Sequence, residues 1–379
     1  MNHAADTTVD LAADLTANHI GLRWVCDNMP GIRRTSTRAG FSYVGPRGKR
    51  LRSPADLQRI KSLAIPPAYQ DVWICPWPNG HLQATGRDAR GRKQYRYHPD
   101  WLARRSETKF ASLARFGRGL PLLRKRIQHE LSSGETPTRT RVLAAIVHLL
   151  DTAWLRIGNE SYQQQNGSYG LTTLRNRHIQ IEGSVLRLNF VGKSGVRQTL
   201  ALDDKRLARL VRRCRELPGQ HLFQYVDDSG QAHALGSADV NAWLLEITGE
   251  TITAKDFRTW HASVLALQLL LNYRFESANS ASPAPLPTLI AVVAKRLGNT
   301  PTVCRKSYIH PEVLIHAETL TNMVAWQTLQ GQRWITAPVR KRGLRLAECQ
   351  LLSLLGNRRR KTVPPHIDSQ APTASRGER

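Results

Sequence analysis

Two textures of apolar spacing divide the chain. From Gly21 to about His98 the apolar residues fall in short runs broken by Gly, Pro and aromatics, as in FSYVGPRGKRL and DVWICPWPNGHLQATG. Such runs between turn-formers predict strands and tight turns, with one helical piece over Pro54–Leu63. From about Trp101 the period lengthens. Val142, Ile146, Leu149, Leu150, Ala153 and Trp154 recur every three or four residues, which predicts the buried face of one helix. Within this helical region VLRLNFVGKSGVRQTLAL alternates on either side of Gly192–Gly195, and predicts a β-hairpin. Further helices are expected over Ser237–Ile247, through Arg258–Leu271 and over Pro287–Leu297, with SANSASPAPLP as a loop before the last. Thr300 and Pro301 suit the cap and first position of a short helix that His310–Pro311 ends. The expected fold class is α+β. A flexible lead-in (1–20) precedes a small β-rich domain (21–100) and a mainly helical domain holding the hairpin (101–325). A basic, partly disordered extension (326–379) closes the chain.

Composition sharpens this picture. With 379 residues and 41% hydrophobic content, the chain has material for more than one core, which excludes wholesale disorder. Lys and Arg number 55 against 29 acids, a formal charge of +26. A surplus of that size favours a polyanionic partner, because neutralised phosphates release counterions. Nucleic acid heads that class, with a ribosome-associated or acidic-membrane protein left open by charge alone. The five cysteines (Cys26, Cys75, Cys214, Cys304, Cys349) are odd in number and form no CxxC pair. Neither a disulfide framework nor a zinc site is therefore expected, and a reducing cytoplasm is. Asp6, Asp10 and Asp14 interrupt the first twenty residues, unlike a secretory signal. The longest apolar stretches, near Val264–Leu271 and Leu289–Ala294, are too short to span a bilayer, so no membrane partner is expected.

Candidate chemistry lies among the cations. FVGKS contains the GKS of a phosphate-binding loop, but Arg187 stands where that loop needs glycine, and the motif joins two strands. Arg156 follows the apolar helix face at a turn marked by Ile157–Gly158. Lys193 sits at the hairpin tip, and Arg258 lies in KDFRTWHAS. Each alone reads as a solvated surface charge; as a set they could serve a phosphodiester attacked in line. Guanidiniums can hold its nonbridging oxygens, and a hairpin lysine can protonate the leaving oxygen. Tyr308, in LGNTPTVCRKSYIHP, is either a packing residue or a nucleophile whose phenol needs nearby cations to ionise.

RIGNESY, SYGLTTL, FVGKSG, KDFRTW and LGNTPTVCRKSYIHP, in this order and spacing, resemble the poxvirus-like bacterial type IB DNA topoisomerases. GRDARGRKQYRYH and IPPAYQDVWI extend the resemblance into the N-terminal part, so that it spans roughly Gly21 to Leu320. It implies a catalytic domain like that shared by tyrosine recombinases and type IB topoisomerases, and an N-terminal DNA-clamp domain. It implies Tyr308 as nucleophile, Arg156, Lys193 and Arg258 as catalytic partners, and position 299 as a phosphate-oxygen donor. The family has His or Asn there; Asn299 follows the Asn version and brings no positive charge. Lys255 matches a further position near the scissile phosphate. The resemblance also implies relaxation of supercoiled DNA through a transient 3′-phosphotyrosyl link, strand rotation and religation, without ATP, metal or other cofactor. The expected partner is double-stranded DNA clamped by a monomer, in the cytoplasm at a bacterial nucleoid.

In the N-terminal basic run Arg87, Arg90, Arg92, Lys93 and Arg96 interleave with Tyr95 and Tyr97, which suits contact with DNA phosphates and grooves. The alternative is an exposed basic strand whose two tyrosines, being two apart, pack on one face. Two rival functions remain. A tyrosine recombinase uses the same residue types, but usually shows HxxR where this chain has Lys255 in KDFR. A non-catalytic DNA-binding protein would be indifferent to Tyr308.

Overall fold

The computed structural model describes residues 14–38, 40–273, 285–320 and 323–361, and the chain divides into two compact units, Met1–Phe110 and Ala111–Arg379. Three expectations fall at least partly outside the described residues: the lead-in up to residue 13, the loop SANSASPAPLP up to residue 284 and the chain end from 362. The last three residues of that loop, from Pro285, already belong to the helix Pro285–Leu297.

The first unit is built on a five-stranded antiparallel sheet in the order β2-β1-β3-β4-β5. Its strands are β1 (Ile32–Thr37), β2 (Gly40–Val44), β3 (Gln70–Ile74), β4 (Leu82–Arg87) and β5 (Lys93–Tyr97). Alternation along β3 sends Val72 and Ile74 to one face and Trp73 to the other, where Cys75 follows it. Val72 and Ile74 pack with Ile32, Ala84 and Ile60, the last from the helix Pro54–Ser62. Trp73 and Cys75 pack with Val25 and Leu82. That helix starts where the sequence places it, with the Ser53 hydroxyl accepting from the Asp56 amide and Pro54 in its first turn. Residues 14–19 are not a loose lead-in: they form a helical turn whose Ala17 is buried against Leu22 and Trp101.

The second unit is mainly helical. Its centre is the helix Arg139–Ala153, buried on every side from Arg141 to Val147, so its core face is wider than a single stripe. The helix Ala254–Leu271 packs against it, beginning four residues before Arg258, because Thr253 and Asp256 cap it. The expected hairpin forms as β7 (Val185–Val191) and β8 (Arg197–Asp203), with β6 (Ile179–Glu182) added at its edge. Along β7, Leu186, Leu188 and Phe190 are buried while Arg187, Asn189 and Val191 face solvent. A two-stranded ribbon, β9 (Gln224–Val226) and β10 (Ala232–Ala234), precedes the helix Ser237–Thr248.

Part of the expected C-terminal extension is folded against the second unit. Trp334 is buried, and the helix Leu346–Lys361 buries Ala347, Cys349, Leu351 and Leu354. RKRGLR is docked as well: Lys341 donates to the Arg118 carbonyl at 2.8 Å, and Arg124 to that of Gly343 at 2.9 Å. Between the cations of RKRGLR and NRRRK, Ala347, Leu351 and Leu354 recur at spacings of four and three and form the buried face.

Two helical glycines, Gly117 and Gly119, make opposite cases. A Cβ on Gly117 would lie 2.3 Å from the buried Trp260 ring, whereas one on Gly119 meets nothing closer than 3.6 Å. Gly117→Ala is expected to destabilise the protein by about 1–3 kcal/mol through overpacking. Gly119→Ala should be neutral or stabilise by up to about 1 kcal/mol through helix propensity. Thermal unfolding of the two variants side by side checks both.

Candidate active site

Arg156 lies just beyond the helix Arg139–Ala153, which ends on Trp154 in a left-handed conformation (φ 58°). The backbone after it is clamped: the Leu171 amide donates to the Arg156 carbonyl at 2.9 Å, and the Thr172 amide to Ile157 at 2.7 Å. The approach is so close that a Cβ on Gly170 would fall 2.4 Å from the Gly158 nitrogen. RIGNE and SYGLTTL are thus two halves of one joint, and only glycine fits at its contact point.

Arg258 projects from the second turn of Ala254–Leu271 and is 5% exposed. Its Nη1 donates to the Trp154 carbonyl and its Nη2 to that of Leu297, the latter at 2.7 Å. Among the described residues no carboxylate pairs with it. Burial, and then the neighbouring charge of Arg156, push its pKa down to about 10. The guanidinium carbon stands 5.4 Å from the centre of the Tyr308 ring.

Tyr308 ends the short helix Pro301–Ser307, which Thr300 caps from its side chain and Pro301 opens. His310 then caps the next helix, Pro311–Thr319, rather than only ending the first. Burial alone would raise the Tyr308 pKa. The charges of Arg258 and Arg156, with hydrogen bonding from Arg258 and Asn299 to the phenolate, outweigh it and leave the phenol below its ordinary value. Asn299 follows Gly298, the left-handed residue (φ 58°) after the helix Pro285–Leu297. Its Oδ1 accepts from Arg156 Nη2 at 2.6 Å, which turns the amide nitrogen the other way. Arg258 Nε and Asn299 Nδ2 are buried donors without an acceptor in good geometry.

Tyr308, Arg156, Arg258 and Asn299 therefore converge. Lys193 stands apart at the exposed hairpin tip, in a turn whose Ser194 and Gly195 are left-handed, and its ammonium has no hydrogen bond or ion pair among the described residues. The hairpin nevertheless reaches the site's edge, because a Cβ on Gly298 would lie 3.2 Å from Gln198 Nε2 on β8. Lys255 is exposed one turn before Arg258.

The N-terminal cations lie on the β4–β5 hairpin of the first unit and are not equally available. Arg92 binds Asp88 at 2.7 Å, and Lys93 pairs with Asp27. Arg87 pairs with Asp71 at 3.5 Å, and Arg96 donates to the Ala64 carbonyl at 3.2 Å. Asp88 organises the turn: it takes hydrogen bonds from the Arg90 and Arg92 amides and from Gln94, and Arg92 pulls its pKa down to about 2. Arg90 is exposed, and Tyr95 stacks with Tyr97 on one face at 6.0 Å and 11°.

Three contributors escaped sequence reasoning. The Trp154 carbonyl and the Gln198 side chain carry no motif. Ser263, completely buried, accepts from the His310 amide at 2.9 Å and lies 3.2 Å from the Tyr308 carbonyl, pinning the backbone around that tyrosine. Its place five residues after Arg258, at the end of KDFRTWHAS, was the available signal.

Comparison with known proteins agrees with this architecture. Residues 96–333 match the family described as the catalytic core of eukaryotic DNA topoisomerase I, and residues 40–88 match the N-terminal domain of bacterial DNA topoisomerase IB. The DNA topoisomerase 1B of Acanthamoeba polyphaga mimivirus is 31% identical over 288 residues, covering 74% of this chain and 85% of that protein. The DNA topoisomerase 1B of vaccinia virus (strain Copenhagen) is 26% identical over 270 residues, covering 68% and 80%. The class is a DNA topoisomerase of type I, an isomerase acting on DNA. The chain belongs to the type IB DNA topoisomerase family.

The electrostatics of the cluster can be read directly. Titrating tyrosinate absorbance in the wild type against Tyr308→Phe is expected to isolate one phenol ionising below the ordinary tyrosine value. In Arg156→Ala, which removes a cation that favours the phenolate, that midpoint should move upward. An unmoved midpoint would show that Arg156 does not tune the phenol.

Proposed function

We propose that Tyr308 is the nucleophile with which this topoisomerase breaks and reseals one DNA strand. The observation that carries the reading is the enclosure of the phenol by Arg258 and Arg156, beside two buried donors, Arg258 Nε and Asn299 Nδ2, that no acceptor among the described residues meets in good geometry. A buried N–H left unpaired costs free energy, and a nonbridging phosphate oxygen would satisfy both.

The step follows from these groups. The Tyr308 phenolate attacks the phosphorus of one backbone phosphodiester, and the bond to the 5′-oxygen breaks. Arg156, Arg258 and Asn299 hold the nonbridging oxygens as charge builds on them. Lys193, swung in on its hairpin and helped by Arg156, gives its proton to the departing 5′-oxygen. The strand is then held as a 3′-phosphotyrosyl ester while the free end rotates, driven by supercoiling strain. Reversal of the attack returns the proton to Lys193 and reseals the strand. One phosphodiester replaces another, so the exchange is near energetic balance and needs no ATP. The side chains supply the electrophilic help, so the proposed reaction proceeds without metal. Lys255 would add charge near the same phosphate.

We further propose that a single chain engages the duplex with both units, as a clamp, in the cytoplasm. The 21–100 region would be the clamp domain and 101–325 the catalytic domain. On the β4–β5 hairpin Arg90 and Tyr95 are the exposed candidates for DNA contact, with Arg87, Arg96 and Tyr97 beside them, while Arg92 and Lys93 hold the hairpin's form.

Relaxation of a supercoiled plasmid in EDTA without ATP is the primary test, with Tyr308→Phe alongside. Wild type should relax supercoils of both signs, and Tyr308→Phe should bind DNA yet leave it supercoiled. Relaxation by both proteins would remove Tyr308 from its role, and relaxation by neither would favour a recombinase or a binding protein. For the clamp, Arg90→Ala should weaken DNA binding across sequences and lower the salt slope by about one. Arg92→Ala should instead act on hairpin stability, seen in thermal unfolding.

A further inference from the structure

We propose that the C-terminal helix Leu346–Lys361 is a positioning element of the catalytic centre, acting through Glu348 on the backbone carbonyl that holds Arg258. The helix follows the residues, 96–333, that match the catalytic-core family, yet its one acid near the start is among the most buried side chains of the unit, at 1% exposure. The proposal rests on the reading that Arg258 acts on the scissile phosphate.

The contacts run without a gap. Glu348 grips Arg124 with both oxygens, Oε2 to Nη1 at 2.9 Å and Oε1 to Nη2 at 2.8 Å. It also accepts from the Arg345 amide at 2.8 Å and from the indole of Trp260 at 3.3 Å. Arg124 turns its remaining edge to Asp151, Nε to Oδ2 at 2.8 Å and Nη2 to Oδ1 at 3.2 Å. Asp151 Oδ1 meets His261 Nε2 at 2.9 Å, and the His261 ring stacks on Trp154 at 5.1 Å with 6° between planes. Arg296 covers the same indole at 4.8 Å. The Trp154 carbonyl, finally, accepts from Arg258.

The last link explains why a scaffold is needed. Trp154 is left-handed at φ 58°, a conformation that a bulky L residue leaves unless its surroundings hold it. Relaxation toward an ordinary backbone would rotate its carbonyl away from Arg258. His261 and Arg296 hold the indole, Asp151 orients His261, and Arg124 orients Asp151. Arg124 in turn spends its donors on Asp151, Glu348 and the Gly343 carbonyl, so loss of the Glu348 charge removes one of the two carboxylates that fix how the guanidinium faces Asp151. Paired carboxylates on one buried guanidinium suit a part that must not move, since removing one partner strands the others.

The test compares full-length wild type, Glu348→Gln, His261→Gln and Arg258→Ala in single-turnover cleavage of duplex DNA, with DNA affinity, thermal unfolding and the Tyr308 tyrosinate titration measured on each. Glu348→Gln is expected to slow cleavage by about 10- to 100-fold, the scale of a misplaced catalytic group. DNA affinity should stay within about twofold, because the altered group touches no phosphate. The Tyr308 midpoint should rise as Arg258 withdraws, a change that simple loss of stability would not cause. His261→Gln should do the same, and it carries the test if Glu348→Gln does not fold. Wild-type cleavage by the folded variant, or slowing with an unmoved Tyr308 midpoint, overturns the proposal. If Arg258→Ala itself cleaves normally, the reading of the site fails. If Arg258→Ala is inert and the folded positioning variant is normal, only the present inference does.

Discussion

A guanidinium taken out of water without a carboxylate to meet it is the constraint around which the second unit is arranged. Desolvating such a cation costs on the order of several kcal/mol. The Trp154 and Leu297 carbonyls offset part of that cost for Arg258, but dipoles do not neutralise it. The remaining deficit appears in a pKa pushed down to about 10 for Arg258 and in a phenol held below its usual value for Tyr308. Both are responses to one field, because among the described residues no carboxylate pairs with Arg258. A carboxylate partner for Arg258 would make the free protein more comfortable and the site useless, since the phosphate would then compete with it.

Holding that cation in place draws on elements far apart in sequence. The carbonyls come from the ends of two helices, each stopped by a left-handed residue, Trp154 in one case and Gly298 after Leu297 in the other. The ends of α-helices are where unpaired carbonyls are found, so helix termination here is also ligand supply. The joint between Gly158 and Gly170 fixes the segment that bears Arg156, and Asn299 is tied to Arg156 through its Oδ1. Arg258 and the segment that bears Arg156 are thus held by backbone geometry, and Asn299 by the guanidinium of Arg156.

This division also governs what was legible in the sequence. The α+β class, the two textures and the hairpin followed from period alone, because Leu186, Leu188 and Phe190 alternate and the 139–153 helix repeats by three and four. Tyr308, Arg156 and Arg258 stood out as candidates by their chemistry, their roles and Asn299 came only through motif resemblance, and the structure places the four together. The supports were illegible for a physical reason. A carbonyl has no letter, so the role of Trp154 is invisible in a string of side chains. Glu348 and Arg124 are 224 residues apart, and neither has a periodic signature. Asp151 alone offered a hint, as an acid in an otherwise apolar run that buries it. Such a group requires a partner, although sequence does not say which.

The same consideration changes the meaning of the net charge. A formal +26 invites the picture of a uniformly basic surface, but charge in the sequence is not charge available to a phosphate. Arg124 is consumed by two carboxylates, Arg141 by the Glu130 and Thr136 carbonyls, and Arg92 by Asp88. On the β4–β5 hairpin Arg92 is paired with Asp88 and Lys93 with Asp27, while Arg90 is exposed at the tip. The hairpin of the second unit ends in Lys193, an exposed ammonium without a partner among the described residues, on a short left-handed turn. In the first unit paired cations stiffen the hairpin, and in both units the tip presents a cation to solvent. That arrangement separates the charges that build the fold from those left to meet DNA.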